Sequence, residues 1–293
     1  MNMLARCVVL IVGLLGIAAA GLAQPAPKRD TFEDVVERVA RPEVSAVIVE
    51  HFAQRSKAKW FGPRLRIAVA VDESLQTRNA ACLKRIEVLF QSMGAVAGFN
   101  VPVTTYPLAS VRKDASGALV FFADDVADMV LVISPRDSQP VDIDAPPATG
   151  GAPLSNHASG LANDLPIDPP PPLRYEQRYF SRNVIARTVL SVMPHAARAA
   201  RARDALCAHK QDFFVAFAWS ITAPPTIDLA DLLYRHFDDV QPPERRVRAA
   251  YLLAILATYR DPDKASRTSA TRFADYRHAL VNTKQQFEAA LDQ

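Results

Sequence analysis

The stretch Arg64-Leu-Arg-Ile-Ala-Val-Ala-Val71, together with the residues that follow it, decides the fold. Its apolar side chains alternate from Leu65 to Val71 with the period of a half-buried β-strand. Asp72 to Thr77 then supplies turn and cap residues, and apolar residues between about Leu75 and Ala97 gather on one side of a predicted amphipathic helix. The sequence therefore predicts a strand that leads directly into a long helix.

Further helical and β-rich patterns lie on either side of this strand and helix. They are helices from Thr31 to Val39 and from Glu43 to about Phe52, and β-rich segments at Asn100 to Tyr106, Ala118 to Phe122 and Asp128 to Ser134. Such an arrangement is typical of an α+β layer. We therefore predict an α+β fold, with a mixed or antiparallel sheet in residues 24–134.

Prolines crowd residues 135–173, among Gly, Ser, Asn and Asp. Because proline removes a backbone donor, we expect a linker or loop without packed elements, joining the sheet-containing first half to a mainly helical second half at residues 174–293. The two halves could also form one domain. The predicted helices of the second half run over Ser181 to Met193, Ala196 to about Trp219, Leu229 to Phe237, Glu244 to Arg260 and Thr271 to Leu291.

The first 23 residues have the pattern of a secretory signal peptide. Arg6 precedes the uncharged run Cys7 to Leu22, and small residues follow at its end. The 16 residues of this run are fewer than the roughly 20 that span a bilayer. We therefore expect cleavage near Gln24, a mature chain without a transmembrane segment, and a periplasmic or secreted location.

The charge balance argues against a nucleic-acid partner. The chain has 34 Lys and Arg against 31 Asp and Glu, a formal net charge of +3. Basic clusters at Arg198 to Arg203 and Arg245 to Arg248 lie beside acidic residues, without interleaved aromatic residues that could stack on bases. The pattern is that of a charged face on a helix exposed to solvent.

Two cysteines, Cys82 and Cys207, remain once the signal peptide is removed. An even number in an oxidising compartment favours a single disulfide that closes a long loop. Two buried free thiols are the alternative.

Familiar catalytic motifs are absent from the sequence. It contains no Gly-x-Ser-x-Gly elbow, glycine-rich phosphate loop, dinucleotide fingerprint or His-Glu-x-x-His motif, and no two histidines stand four residues apart. His209 with Asp212, and His236 with Asp239, are three residues apart and are weak candidates for metal ligands. A surface or capping role is the alternative for each pair.

Four short segments together resemble an uncharacterised family of secreted bacterial proteins, frequent in proteobacteria, that is grouped with zincin-like metallopeptidases. The segments are Trp60-Phe-Gly-Pro-Arg-Leu-Arg-Ile-Ala-Val69, Ala127-Asp-Met-Val-Leu-Val-Ile-Ser134, Phe237-Asp-Asp239 and Thr258-Tyr-Arg-Asp-Pro262. In that family a cysteine shortly precedes a Glu-Glu-x-x-Gln helix, whereas Cys207-Ala-His-Lys-Gln-Asp212 lacks both glutamates. Because the water-activating carboxylate is missing, the resemblance implies a degenerate member that kept the scaffold without the chemistry.

Two functional hypotheses follow. The first is a non-catalytic periplasmic or cell-envelope protein that binds an unknown envelope protein or small ligand, with no cofactor and no catalytic residue. The second is a secreted zincin-like metallopeptidase with a zinc ion. A cluster formed by His209, Asp212, His236 and Asp239 would favour the second.

Overall fold

The computed structural model describes residues 29–49, 59–60, 62–134, 140–146, 156–161, 173–181, 184–192, 205–222, 229–260 and 269–293. The chain divides into two compact units, Met1–Glu33 and Asp34–Gln293. The predicted signal peptide lies outside the described residues. The fold is α+β: a mixed sheet combined with helices.

Among the described residues the sheet has seven strands in the order β3-β2-β4-β7-β6-β5, and β1 pairs with β7 beside this path. Strands β1 to β4 and β7 are joined by parallel pairings, whereas β5 and β6 run antiparallel to their neighbours. The bounds are β1 Lys59–Trp60, β2 Ile67–Val71, β3 Val103–Pro107, β4 Met129–Ile133, β5 Asn156–Leu161, β6 Leu173–Ser181 and β7 Val184–Val192.

The described residues include nine α-helices, with short 3₁₀ turns at Thr77–Asn79, Leu108–Ser110 and Ala205–His209. The helices are α1 Phe32–Val39, α2 Pro42–Val49, α3 Glu73–Gln76, α4 Ala80–Ala97, α5 Lys210–Thr222, α6 Leu229–His236, α7 Glu244–Tyr259, α8 Ser269–Asn282 and α9 Lys284–Asp292. Within the described part of the chain, none of these helices combines the length and apolar character needed to cross a membrane.

The strand and helix predicted from residues 64 to 97 are present, with one correction to each. β2 is buried at all five positions because it is a central parallel strand covered on both faces, so the half-buried prediction was wrong. The helix is interrupted by the Thr77–Asn79 turn, and α4 ends at Gly98, whose φ of +89° favours glycine.

The sheet extends well beyond the first half. The predicted helix from Ser181 to Met193 was wrong: Val184–Val192 forms β7, which is buried from Ile185 to Val192. Strand β5, Asn156–Leu161, lies within residues 135–173, so the prediction that this stretch contains no packed element was also wrong. Residues beyond Ser134 therefore contribute three strands to the sheet: β5 within residues 135–173, and β6 and β7 after it.

Ala118 to Phe122 does not form a strand, although β structure was predicted there. Leu119 makes only isolated bridges, and Phe121 and Phe122 pack with Val130 and Val132 in the core on one face of the sheet. These apolar residues belong to an irregular segment and are buried in the core without pairing as a strand.

The opposite face of the sheet carries the helices. α5 packs on β1, β6 and β7, while α4 packs on β3 and α7 lies against both helices. Phe90 of α4 stacks on Phe217 of α5 with ring centroids 4.8 Å apart. This contact holds together the two helices beside which the candidate site lies.

Candidate functional site

A disulfide between Cys82 and Cys207 ties α4 to the turn before α5, which confirms the cysteine prediction. The two Cα atoms are 5.2 Å apart. Buried Asn79 fixes the same approach: its Oδ1 accepts the Leu206 N–H at 3.0 Å, and its Nδ2 donates to the Leu75 carbonyl at 2.8 Å. The turn is therefore held against α4 by one covalent bond and a buried amide.

A pocket of about 250 Å³ lies beside this disulfide. Ile86, Leu89 and Leu206 contribute buried apolar side chains to it. Its described lining comprises Cys82, Arg85, Ile86, Leu89, Leu206, Cys207, Lys210 and Gln293. Such a combination of an apolar lining with a few polar groups is typical of sites for small ligands.

Two cations, Arg85 and Lys210, are exposed at this pocket. Arg85 Nη1 lies 3.9 Å from Cys207 Sγ. Neither cation forms an ion pair with another described residue, and the described lining contains no Asp or Glu. The pocket therefore combines two positive side chains with buried apolar side chains, and Gln293 also lines it.

The sequence contains a signal for these cations that belongs to none of the catalytic motifs. Arg85 follows Cys82 by three residues, and Lys210 follows Cys207 by three. Residues three apart lie on the same face of a helix, so each cation lies on the side of its own cysteine. Because the disulfide joins the two cysteines, it also brings the two cations near each other. The signal becomes useful only once the disulfide pairing is known.

The four candidate metal ligands remain two separate groups. His209 Nδ1 and Asp212 Oδ2 are 2.9 Å apart, whereas His236 is exposed and Asp239 pairs with Arg246. Within the described ranges, no group of three or more His, Cys, Asp or Glu side chains is placed to hold a metal ion. The geometry brings together His209 and Asp212, and leaves the other pair apart from them.

Helix α5, which begins within the segment Cys207 to Asp212 that was compared with the family's Glu-Glu-x-x-Gln helix, is buried from Asp212 to Thr222. Its exposed part is its first turn, where Lys210 borders the pocket. A side chain on the buried part of α5 can contact other core residues but not a substrate at the surface.

Two of the segments behind the family resemblance meet at the carboxyl end of α5. The Trp60 backbone N–H donates to Tyr259 Oη at 3.1 Å, and Trp60 Nε1 donates to the Ser220 carbonyl at 3.1 Å. Tyr259 Oη in turn donates to the Ile221 carbonyl, and burial raises the pKa of this hydroxyl well above its usual range. These residues satisfy the backbone groups of a helix end.

The Phe237-Asp-Asp239 segment also makes structural contacts. The Arg41 and Arg246 guanidinium groups lie 5.5 and 5.3 Å from the centre of the Phe237 ring, and Asp239 pairs with Arg246. Cation–π contacts of this kind stabilise packing. The segment therefore positions the start of α7.

The basic cluster from Arg245 to Arg248 is not simply an exposed face, which corrects the sequence interpretation. Arg246 and Arg248 are only 3% and 1% exposed. Arg248 donates to Gln211 Oε1 at 2.7 Å and to the Leu291 carbonyl at 3.2 Å, and it pairs with Glu244. Burial lowers its pKa, and these partners compensate part of that cost.

A scan against protein-family models, a search of curated proteins and a search of solved structures each found no match to this chain.

Proposed function

We propose that this chain is an exported protein of the bacterial periplasm or cell envelope that binds a small ligand and catalyses no reaction. The observation that carries the proposal is the pocket beside the Cys82–Cys207 disulfide, with its apolar lining and its two cations. An apolar pocket with a few convergent polar groups is the usual form of a small-molecule site.

The disulfide and the leader sequence support an extracytoplasmic location. Structural disulfides persist in oxidising compartments such as the periplasm. The uncharged run before Gln24 has the composition of a signal peptide. Expression with the native leader is therefore expected to give a periplasmic product that begins near Gln24, which N-terminal sequencing measures; a product that begins at Met1 would contradict export.

The contacts of the motif residues support a binding role over the peptidase alternative. Trp60, Tyr259 and Asp239 each make contacts that join helices or strands. Asp212 is buried against His209 and so faces a partner rather than an open cleft. The segments that resemble a metallopeptidase-like family are thus used here to hold the scaffold together.

Metal analysis combined with a peptidase assay separates the two hypotheses. Protein purified from the periplasm is expected to carry no stoichiometric zinc and to hydrolyse no peptide. About one equivalent of zinc, with a peptidase activity that His209→Ala abolishes, would replace the binding proposal with the metallopeptidase.

The binding role itself is tested on protein labelled at Ile and Leu methyl groups. Titration with octanoate, 1-octanol and octylamine is expected to shift the Ile86, Leu89 and Leu206 methyl resonances with at least one of these probes. The absence of any saturable shift at all three residues, with all three probes, would refute a small-molecule site here.

A further inference from the structure

We propose that the Cys82–Cys207 disulfide is a site of thiol–disulfide exchange in the folded protein. A low-molecular-weight thiol enters through the adjacent pocket and bonds to Cys207 beside Arg85, while Cys82 is first the buried leaving group and then the cysteine that re-forms the bridge. This inference goes beyond the proposed binding function and does not depend on it, because the reaction requires access to one sulfur and no bound ligand.

Burial distinguishes the two sulfurs. Cys82 lies on α4 and is only 1% exposed, whereas Cys207 is half-buried in the turn before α5. In thiol–disulfide exchange a thiolate must reach the sulfur that it attacks, so access decides which of the two reacts. The pocket of about 250 Å³ borders both cysteines and gives a small thiol a route to the more exposed one.

The cation nearest the bridge lies beside the same sulfur. Arg85 Nη1 is 3.9 Å from Cys207 Sγ, and Lys210 stands on the first turn of α5 at the edge of the pocket. The attacking species is an anion, which a neighbouring guanidinium stabilises. Because Gln293 also lines the pocket, the relevant charge effect is this local contact and not a net charge of the pocket.

The reaction is a reversible two-electron exchange with a thiol as the reductant. The thiolate forms a bond to Cys207 Sγ, the bond between Cys82 and Cys207 breaks, and its electron pair leaves on Cys82 Sγ, which takes up a proton. A second thiol then displaces Cys207 from the mixed disulfide, so that the bridge becomes two thiols and the reductant becomes a disulfide. In the reverse direction, the Cys82 thiolate attacks Cys207 Sγ of the mixed disulfide and expels the small thiol.

Contacts outside the bridge favour reclosure. Asn79 is fully buried, and its Oδ1 accepts the Leu206 N–H at 3.0 Å, next to Cys207 in the chain. Phe90 of α4 also stacks on Phe217 of α5. These contacts do not involve either sulfur, so they continue to hold the turn against α4 when the disulfide opens. Cys82 therefore stays close enough to re-form the bond.

Mass spectrometry of the oxidised, full mature chain after brief exposure to 2-mercaptoethanol under native conditions tests the direction of attack. Acid stops the exchange, and N-ethylmaleimide in denaturant then marks the released thiol. At least about tenfold more 2-mercaptoethanol adduct is expected on Cys207 than on Cys82, since the attacked sulfur must be accessible. The same exposure in denaturant is the control, and there the preference should disappear because both sulfurs are accessible.

Three results would overturn the proposal: no adduct on the folded protein, an equal or larger yield on Cys82, or a preference for Cys207 that persists in denaturant. The first would show that the bridge is closed to exchange. The other two would show that burial in the fold does not direct the attack.

Arg85→Gln tests the contribution of the neighbouring cation. Arg85 is exposed, so folding is preserved, and the rate of adduct formation at Cys207 is expected to fall about threefold, the size of one exposed charge contact. Lys84→Gln is the matched control, because Lys84 neighbours Arg85 on α4 but is 68% exposed and pairs with Glu87. A loss of rate in Lys84→Gln as large as that in Arg85→Gln would overturn the assignment of Arg85 to this site.

Discussion

Replacing Tyr259 with phenylalanine removes one hydroxyl that joins three distant parts of the fold. Tyr259 Oη accepts the Trp60 backbone N–H at 3.1 Å and donates to the Ile221 carbonyl at the end of α5. A buried backbone group left without a partner costs about 1–3 kcal/mol. Tyr259→Phe leaves two such groups without this partner, and the surrounding structure relaxes to compensate part of the cost. We therefore expect the free energy of unfolding to fall by about 3 kcal/mol.

Urea denaturation measures this loss. With a slope of about 2 kcal/mol/M, the midpoint of unfolding should fall by roughly 1.5 M without a change of slope. Tyr234→Phe is the matched control, because Tyr234 is 48% exposed, and its effect should stay within about 0.5 kcal/mol. A Tyr259→Phe effect no larger than that of Tyr234→Phe would refute the role of this hydroxyl.

The same variant also changes the response to alkali. Burial raises the pKa of Tyr259 above its usual value of 10.0. A raised pKa in the folded state means that the contribution to stability is complete below the unfolded pKa and is lost as the pH rises above it. The wild type should therefore lose stability above about pH 10 more steeply than Tyr259→Phe, and parallel curves for the two proteins would contradict this.

Three further changes test other parts of the structure. Cys82→Ser opens a loop with a sequence separation of 125 and should lower the free energy of unfolding by about 4–5 kcal/mol in the chain-entropy model, as measured in urea. The Arg66 guanidinium donates to Asp125 Oδ1 at 2.8 Å and holds the pKa of that carboxyl below its usual 3.8. This ion pair therefore contributes to the free energy of unfolding above that pH, and the contribution fades below it. Asp125→Asn should remove this pH-dependent contribution. Gly94→Ala should destabilise α4 by about 1–3 kcal/mol, because the new Cβ would overlap Val101 Cγ2, and Val101→Ala should restore part of the loss.

Each of these predictions has a result that would contradict it. Equal urea midpoints for the oxidised and reduced wild type would show that the disulfide does not restrain the unfolded chain. Asparagine tolerates the φ of +54° at Asp125, so a stability difference that does not vary between pH 2 and 6 would exclude the ion pair as its cause. A stabilised Gly94→Ala variant would mean that helix propensity outweighs the overlap with Val101.

The sequence predicted those strands and helices that are marked by a pattern of a few neighbouring residues. The alternation around Ile67, the caps near Asp72 and the prolines before α7 mark one strand and two helices close to their observed positions. The disulfide was also predicted from the sequence, since an even number of cysteines in an oxidising compartment favours a disulfide without any knowledge of the geometry. In each case the deciding residues lie within a few positions of each other, or are so few that only one pairing is possible.

Other features depended on contacts that no local pattern encodes. The run from Ile185 to Val192 is buried on both faces, and its apolar residues are interrupted by Arg187, Thr188 and Ser191, so its periodicity does not separate a strand from a helix. Pairing with β4 and β6 decides that it is a strand. From the sequence alone, Arg246 and Arg248 have the pattern of a solvent-exposed basic cluster. In the structure Arg246 pairs with Asp239, and Arg248 donates to Gln211. A burial pattern of this kind is set by partners elsewhere in the chain.

The candidate site shows the same division. By itself the sequence determined the two cysteines, the cation three residues after each, and the helices on which they stand, because these depend on residue identity and short spacing. Only the tertiary structure decided that the two cations share one pocket with Ile86, Leu89 and Leu206, and that Trp60 and Tyr259 close a helix end. The physical reason is distance along the chain: Cys82 and Cys207 are separated by 125 positions and Trp60 and Tyr259 by 199, so the folded core, and not local propensity, brings them together.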